Sequence, residues 1–426
     1  MSGKRQSSSS RKEAAEMSAP STHQVPSEQH DAELWAAGHF QLSLEKINKA
    51  AQKMEDSFAI GGCETIAQPM LVVVKSQDAE KTSNALELPA QGADEGALED
   101  LMAACSVADG SSPTGTPTER VPGPGFKKAL ELDPDNFDLD LNIKETSILT
   151  HIKEIMAPDA IELCAELYQL NIYKPGDFSK ACVDTPRSKY TVGTLVIALP
   201  SVHEGGGMIV RHRTREQVFD WSLTALPHEP RVQWAAFYSD CEHEVLKVES
   251  GVCITVVYDL TTSPAPAPYL KALNARCGSL LMCMKYALAH PAFFGRGGTL
   301  RIPCQHMYPD VRNKAFVLTD GRPRLKGADA CTVGMAHFLG LDLGVTLLPA
   351  GPCRNVTSHC EREEVQVHIE DGDDHPPVLV YSHAAIDIHV PPWAVRKDAY
   401  HDMLGPPDVK ETHYNNYNNW ERAIAL

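Results

Sequence analysis

The chain has 426 residues, 43% hydrophobic and 22% charged, which is enough for two or three domains with hydrophobic cores. Its formal net charge of -17 argues against a nucleic acid or an anionic membrane surface as the main partner. No run of about 18 consecutive apolar residues occurs, so no membrane-spanning helix is expected.

The N-terminal stretch "MSGKRQSSSSRKEAAEM" lacks the apolar region of a secretory signal. The 12 cysteines are scattered without a paired framework, which is typical of reduced thiols. These features predict an intracellular protein, either cytoplasmic or nuclear.

The first part of the chain divides by composition. Residues 1–30 are rich in Ser, Gln and Glu, and we predict a disordered tail. Residues 31–75 form an ordered N-terminal segment, with helical spacing in "LEKINKAAQKM" and a buried strand in "PMLVVV". Residues 76–125 end in "SSPTGTPTERVPGPG", and this density of Pro and Gly predicts a low-complexity linker.

Residues 126–262 carry the pattern of a mainly β domain. "ETSILTHIKEIM" predicts a helix, and "DAIELCAELYQLNIY" predicts a passage from helix into strand. Short strands follow, among them "TLVIALP", "RVQWAAFYSD" and "CITVVYDL", with "GMIVRHRTREQVFDW" as two strands about a charged turn. Many short strands with tight turns favour a closed or double-sheet antiparallel fold.

The Pro-rich stretch "TTSPAPAP" separates this domain from residues 269–426, where helices and strands mix. We predict a C-terminal α/β extension or cap there. The predicted fold class is therefore mainly β with α, a double-stranded β-helix (jelly-roll) core with packed helices and this extension.

Three side chains in the β region could share a site. Cys182 and Asp184 are two residues apart at a strand end, so they lie on one face. His243 stands at the start of a distant strand, and in a jelly roll both strands can line one barrel mouth. Two imidazoles and one carboxylate on one face of non-haem iron leave positions for a co-substrate and O₂.

The runs "GDFSKACVDTPRSKYTVGTLVIALPSVHEGGGMIVRH" and "WAAFYSDCEHEVLKVESGVCITVVYDL" resemble the prolyl 4-hydroxylase-like group of Fe(II)/2-oxoglutarate dioxygenases, in particular a large, mostly uncharacterised eukaryotic branch. The resemblance covers about 160–260. It continues more weakly in "ELDPDNFDL" and, in the C-terminal part, in "LKGAD", "LGLDLGV" and "YSHAAIDIHVPP". It implies the double-stranded β-helix fold, with Fe(II) and 2-oxoglutarate as cofactors and O₂ as a co-substrate.

The resemblance also assigns metal positions. Asp184 matches the family's metal-binding carboxylate and His243 its distal metal-binding histidine, while Cys182 stands where the first histidine is expected. A thiolate can bind iron, but a cysteine is also a common small hydrophobic core residue. No catalytic residue is predicted beyond this metal site.

The same resemblance assigns the co-substrate positions. Tyr173 matches a tyrosine that hydrogen-bonds the far carboxylate of 2-oxoglutarate, and Thr255 could do likewise. Cys253 stands where the family has the Arg or Lys that pairs with this carboxylate. Arg211 or Lys247 could replace that cation, and His203 could replace the missing metal ligand.

Three hypotheses follow. The first is a dioxygenase that hydroxylates an unknown protein or small molecule, and the second is a non-catalytic descendant that uses the barrel for binding or scaffolding. The third and weakest is a zinc site built from Cys182, Asp184 and His243. The sequence does not identify the substrate.

Overall fold

The computed structural model describes residues 28–401, with gaps at 55–56, 67–69, 76–84, 90–94, 109–126, 158–159, 161, 185–189, 223–230, 263–276, 312–324, 349–354 and 360–378. The predicted disordered tail at 1–30 therefore lies outside the described residues except for its last three, which begin the first helix.

A seven-stranded antiparallel sheet forms one wall of the core. Its spatial order is β1 (Ala59–Thr65), β14 (Arg231–Tyr238), β10 (Thr191–Ala198), β17 (Cys253–Thr262), β8 (Leu163–Tyr173), β6 (Leu130–Leu132) and β4 (Ser106–Val107). β14, β10 and β17 are buried over most of their length, which explains their nearly continuous apolar sequences.

A five-stranded antiparallel sheet forms the opposite wall, in the order β13 (Arg215–Phe219), β12 (Met208–His212), β15 (Glu242–Val245), β9 (Phe178–Val183) and β5 (Lys127–Lys128). A short pair, β11 (His203–Gly205) with β16 (Val248–Gly251), lies beside them. One hydrophobic cluster includes side chains of both walls, such as Val210 and Phe237. The described domain is thus mainly β, antiparallel and compatible with a jelly roll.

The predicted Gly-rich turn follows β11. Gly205 and Gly206 have φ of 74° and 71°, which side chains with a Cβ rarely adopt. A Cβ on Gly205 would also lie 2.4 Å from the Lys247 carbonyl oxygen, so glycine is required there by space as well.

A second layer holds the last part of the chain. Its strands are β18 (Gly298–Pro303), β19 (Tyr308–Val311), β20 (Asp342–Leu348), β21 (Thr357–His359) and β22 (Leu379–Val390), with β22 paired to β18, β19 and β20. Its helices are α4 (Gly278–Leu288), α5 (Gly327–Phe338) and α6 (Trp393–His401). The N-terminal helix α1 (Glu28–Lys53) joins this layer, since its Ile47 lies in one hydrophobic cluster with Leu300 and Ile386.

Part of the predicted linker at 76–125 forms ordered elements. β3 (Ala85–Leu88) pairs with β2 (Met70–Val74), which also pairs with β7 (Phe137–Leu139). Helix α2 (Glu95–Ala104) follows, and α3 (Ile148–Met156) lies after two 3₁₀ turns at Pro134–Asn136 and Ile143–Glu145. Leu86, Leu88 and Leu101 are each 1% exposed in the hydrophobic cluster that includes side chains of both walls. The apolar patterns of β3 and α2 are short and lie among polar residues, so the sequence did not predict these two elements.

β8 differs from its prediction in one respect. The stretch "LCAELYQLNIY" is strand throughout rather than helix passing into strand. It contains good helix formers, but its pairing with β17 along nearly its whole length decides its conformation.

Candidate functional site

The structure brings together the three side chains that the sequence placed at a metal site. Cys182 on β9 is the direct cross-strand partner of His243 on β15. The Cys182 Sγ lies 3.8 Å from His243 Nε2, and Asp184 Oδ1 lies 3.9 Å from the same nitrogen. Antiparallel pairing of two strands distant in sequence thus produces a thiol–imidazole–carboxylate group.

Surrounding residues hold this group in place. Thr194 of β10 donates a hydrogen bond of 2.8 Å to the other carboxylate oxygen of Asp184, Oδ2. The Phe237 ring of β14 packs against the His243 imidazole with centroids 4.8 Å apart. The side chains of Asp184 and His243 are each only 15% exposed. The group therefore faces the large sheet, between the two walls.

The electrostatics of His243 follow from these neighbours. Burial lowers its pKa, but the Asp184 carboxylate, Cys182 and the Cys241 backbone outweigh burial and raise the pKa to about 9. In the absence of metal His243 is therefore an imidazolium at neutral pH, and a metal ion must displace its proton to bind Nε2.

The donor atoms fit a metal ion in part. Bonds of about 2.0–2.3 Å place two ligands of one ion roughly 3–4 Å apart, as His243 Nε2 is from Asp184 and from Cys182. A different group of three is closer together. Among the described residues, the ligand atoms of His212, Asp240 and His306 all lie within 4.8 Å of one another. The spacings of Asp184 and of Cys182 from His243 Nε2 therefore each suit a shared metal ion, whereas the ligand atoms of all three residues do not lie within 4.8 Å of one another.

The predicted co-substrate residues line the same interior. Tyr173 of β8 pairs with Cys253 of β17, and Thr255 pairs with Asn171. All four side chains are at most 3% exposed. Burial raises the pKa of the Cys253 thiol to about 12, so it is neutral and cannot replace a guanidinium or ammonium group.

The residues predicted to replace the missing cation and the missing metal ligand make other contacts. Arg211 forms ion pairs with Glu216 at 2.7 Å and with Glu244 at 2.5 Å. It follows the inward-facing Val210 on β12, so its side chain points to the opposite face of the sheet. Lys247 is exposed. His203 lies on β11, where its Nδ1 contacts the Ser201 carbonyl at 2.9 Å.

Lys127 was not identified from the sequence. It is a cation that reaches the face of the large sheet on which Tyr173 and Thr255 lie. Its Nζ lies 2.9 Å from Asn171 Oδ1 and forms an ion pair with Glu131, which is the cross-strand partner of Asn171. Burial raises the pKa of Tyr173, and Cys253, Glu131 and Cys182 raise it further. The only sequence signal is the alternation in "KKALELD", since β5 and β8 are distant along the chain.

Comparison with known proteins gives little further identification. No protein-family model matches the chain, and no curated protein matches it. An oxidoreductase of the 2OG-Fe(II) oxygenase family from Burkholderia pseudomallei is 14% identical with a TM-score of 0.26, over 52% of this chain and 93% of that one.

Two further solved structures are similar at the same level. A Pseudomonas putida prolyl-4-hydroxylase is 11% identical with a TM-score of 0.25, over 40% of this chain and 84% of its own. A viral collagen prolyl hydroxylase from Paramecium Bursaria Chlorella virus-1 is 16% identical with a TM-score of 0.24, over 33% and 82%. Similarity this low establishes neither fold nor function. Separately, no helix in the described ranges is long and apolar enough to cross a membrane.

Proposed function

We propose that this chain is an Fe(II)/2-oxoglutarate dioxygenase-like protein, a double-stranded β-helix whose metal ligands are Asp184 and His243. The observation that carries the proposal is the meeting of Cys182, Asp184 and His243 inside the barrel, with both contacts made to His243 Nε2. These are the positions at which the sequence resemblance expects metal ligands.

Iron(II) held there would supply the activation of O₂ coupled to 2-oxoglutarate decarboxylation, by which this chemistry hydroxylates a C–H bond of a protein or small-molecule substrate. The chain's own residues would position the metal ligands and exclude bulk water. Thr194 fixes the orientation of the Asp184 carboxylate, and Phe237 covers one side of the imidazole. The low exposure of both ligands keeps bulk water from the site.

Lys127 would supply the charge that Cys253 lacks. It stands beside Asn171, whose neighbours on the same face include Thr255 and Tyr173, so an ammonium, a hydroxyl and a phenol are available to one carboxylate. In the absence of co-substrate Glu131 neutralises Lys127.

A second candidate function is a non-catalytic barrel that binds a partner. The observation in its favour is that His243 Nε2 already lies between a carboxylate and a thiol without metal, at 3.9 Å from Asp184 Oδ1 and 3.8 Å from Cys182 Sγ. A neutral Cys253 also favours it.

Anaerobic Fe(II) titration and succinate release, with and without 2-oxoglutarate, distinguish the two. We expect the unaltered chain to bind one equivalent of Fe(II) more than Asp184→Asn/His243→Gln does, and this equivalent to be bound at least tenfold more tightly in Cys182→His, because an imidazole would then stand beside His243. His151→Gln, which changes an exposed residue of α3, is the matched control and should leave both unchanged. Equal Fe(II) binding by the unaltered chain and by Asp184→Asn/His243→Gln, without succinate release, would favour the non-catalytic barrel.

A further inference from the structure

A second cluster of potential metal ligands lies where the barrel meets the C-terminal layer. His212 is the last residue of β12, and Asp240 lies in the turn between β14 and β15. His306 comes from the C-terminal layer, between β18 and β19. All three are buried, with exposures of 6%, 5% and 1%.

The distances suit coordination of one ion. His306 Nδ1 lies 3.2 Å from each carboxylate oxygen of Asp240, and His212 Nε2 lies 3.7 Å from Asp240 Oδ2. The three ligand atoms are within 4.8 Å of one another. Ligands at about 2.0–2.2 Å from a metal stand roughly 3–3.6 Å apart, so the spacing of these atoms suits one ion once both imidazole rings are oriented toward it.

Other buried groups hold the carboxylate and the His306 loop in position. Lys326 Nζ donates to Asp240 Oδ1 at 2.8 Å, and the Met307 amide donates to Oδ2 at 2.9 Å. The Asp329 carboxylate accepts the His306 backbone N–H at 3.0 Å. Burial raises the pKa of Asp240, but Lys326, His306 and His212 outweigh it and hold that pKa well below its ordinary value, so the ligand is ionised. Outer partners of this kind orient the ligands of metal sites.

The cluster has an access route. A cavity of about 610 Å³ is lined in part by His212, Asp240 and Met307, with His383 on its wall. The His212 and His306 rings are stacked, with centroids 4.3 Å apart and planes 11° from parallel. Two imidazoles that bind one ion cannot also stack face to face, so loading requires one ring to turn, and His212 borders the cavity into which it can turn.

We propose that His212, Asp240 and His306 bind a divalent first-row transition cation, with zinc or cobalt(II) as the tightest practical probes. Two imidazoles and a carboxylate form a donor set that such ions share, and iron(II) binds more weakly than cobalt(II) or zinc to the same set. Three protein ligands leave the remaining positions facing the cavity. The site shares no residue with Asp184 and His243, so it stands whether or not the proposed function holds.

Cobalt(II) titration of the full-length chain, stripped with a chelator, tests the proposal. Asp184→Asn/His243→Gln serves as the background in which the first site is silenced. We expect one equivalent of Co²⁺ to bind this background without a thiolate-to-cobalt charge-transfer band, because no sulfur is among the three ligands. Adding His212→Gln or His306→Gln should weaken binding at least tenfold. His383→Gln, a histidine on the same cavity wall but outside the cluster, should leave the affinity unchanged.

Circular dichroism and thermal unfolding in chelator establish that each variant is folded. His212→Gln is the decisive variant if His306→Gln is unstable, because the 3.7 Å contact of His212 with Asp240 is longer than a hydrogen bond. A folded background that binds neither Co²⁺ nor Zn²⁺ would overturn the proposal. So would an affinity unaffected by His212→Gln, and the cluster would then be a hydrogen-bonded junction between the two layers.

Discussion

His243 couples the stability of the barrel to pH. In the folded, metal-free chain its pKa is raised from 6.5 to about 9, because burial, which lowers it, is outweighed by Asp184, Cys182 and the Cys241 backbone. A pKa that is higher in the folded than in the unfolded state means that protonated His243 stabilises the fold. This stabilisation is complete below pH 6.5 and is lost as the pH rises through about 9.

We therefore expect the free energy of unfolding, measured by urea denaturation in chelator, to fall by about 1–3 kcal/mol more in the unaltered chain than in His243→Gln as the pH rises through that window. His151→Gln, which removes an exposed histidine, should follow the unaltered chain. Identical pH profiles for the unaltered chain and His243→Gln would show that His243 is not protonated in the fold.

At the scale of single elements, β5 carries the lysine that we propose to pair with the co-substrate carboxylate. Its Lys127 faces Asn171 and Glu131, whereas its neighbour Lys128 is largely exposed and forms an ion pair with Asp177. Adjacent residues of a strand point to opposite faces, so this two-residue strand offers a variant and its control.

We expect Lys127→Met to weaken the binding of N-oxalylglycine, a stable analogue of 2-oxoglutarate, at least tenfold by calorimetry. Glu131→Gln should strengthen binding, because it removes the carboxylate that competes for Lys127. Lys128→Met should change affinity less than twofold. If Glu131→Gln weakens binding in a folded protein, Lys127 and Glu131 are a structural ion pair rather than part of a co-substrate site.

Strands were predictable from sequence to the extent that their burial is continuous. β10, β14 and β17 lie inside the large sheet and have nearly continuous apolar sequences. The β12–β13 hairpin was predictable because a charged turn separates its two strands. β3 and α2 were missed because each buries only a few side chains within a polar segment.

The candidate site was predictable in the same partial way. Cys182 and Asp184 lie at one strand end, and the resemblance to the dioxygenases indicated His243. The pairing of β9 with β15 brings Cys182 and His243 together. Lys127 and His306 depend instead on contacts between segments far apart in the chain, with no motif to mark them. Such contacts are properties of the folded chain and have no local sequence signal.

At the scale of the whole molecule, the segment before residue 127 is part of both layers. β1 pairs with β14 along its whole length, and the Tyr238 amide donates to the Phe58 carbonyl at 3.2 Å. α1 places Ile47, fully buried, in the hydrophobic cluster of the C-terminal layer. The N-terminal segment thus completes the edge of the large sheet and also covers the second core.

A chain that begins at residue 127 should therefore fail to fold cooperatively, although it contains every segment in which the sequence resembles the dioxygenases. It would lose six side chains that are at most 6% exposed in the barrel's cluster, namely Phe58, Met70, Val72, Leu86, Leu88 and Leu101. Burying such side chains contributes about 1.5–3 kcal/mol each, so their combined loss is on the order of 10 kcal/mol, comparable to the roughly 5–15 kcal/mol that stabilises a domain. The unpaired edge of β14 would in addition favour aggregation.

A chain that begins at residue 28 keeps all of these contacts and is the matched control. Thermal unfolding and light scattering of the two chains give the measurement, and a sharp transition of the 127–426 chain within a few degrees of the control would show that the barrel is independent of its N-terminal segment.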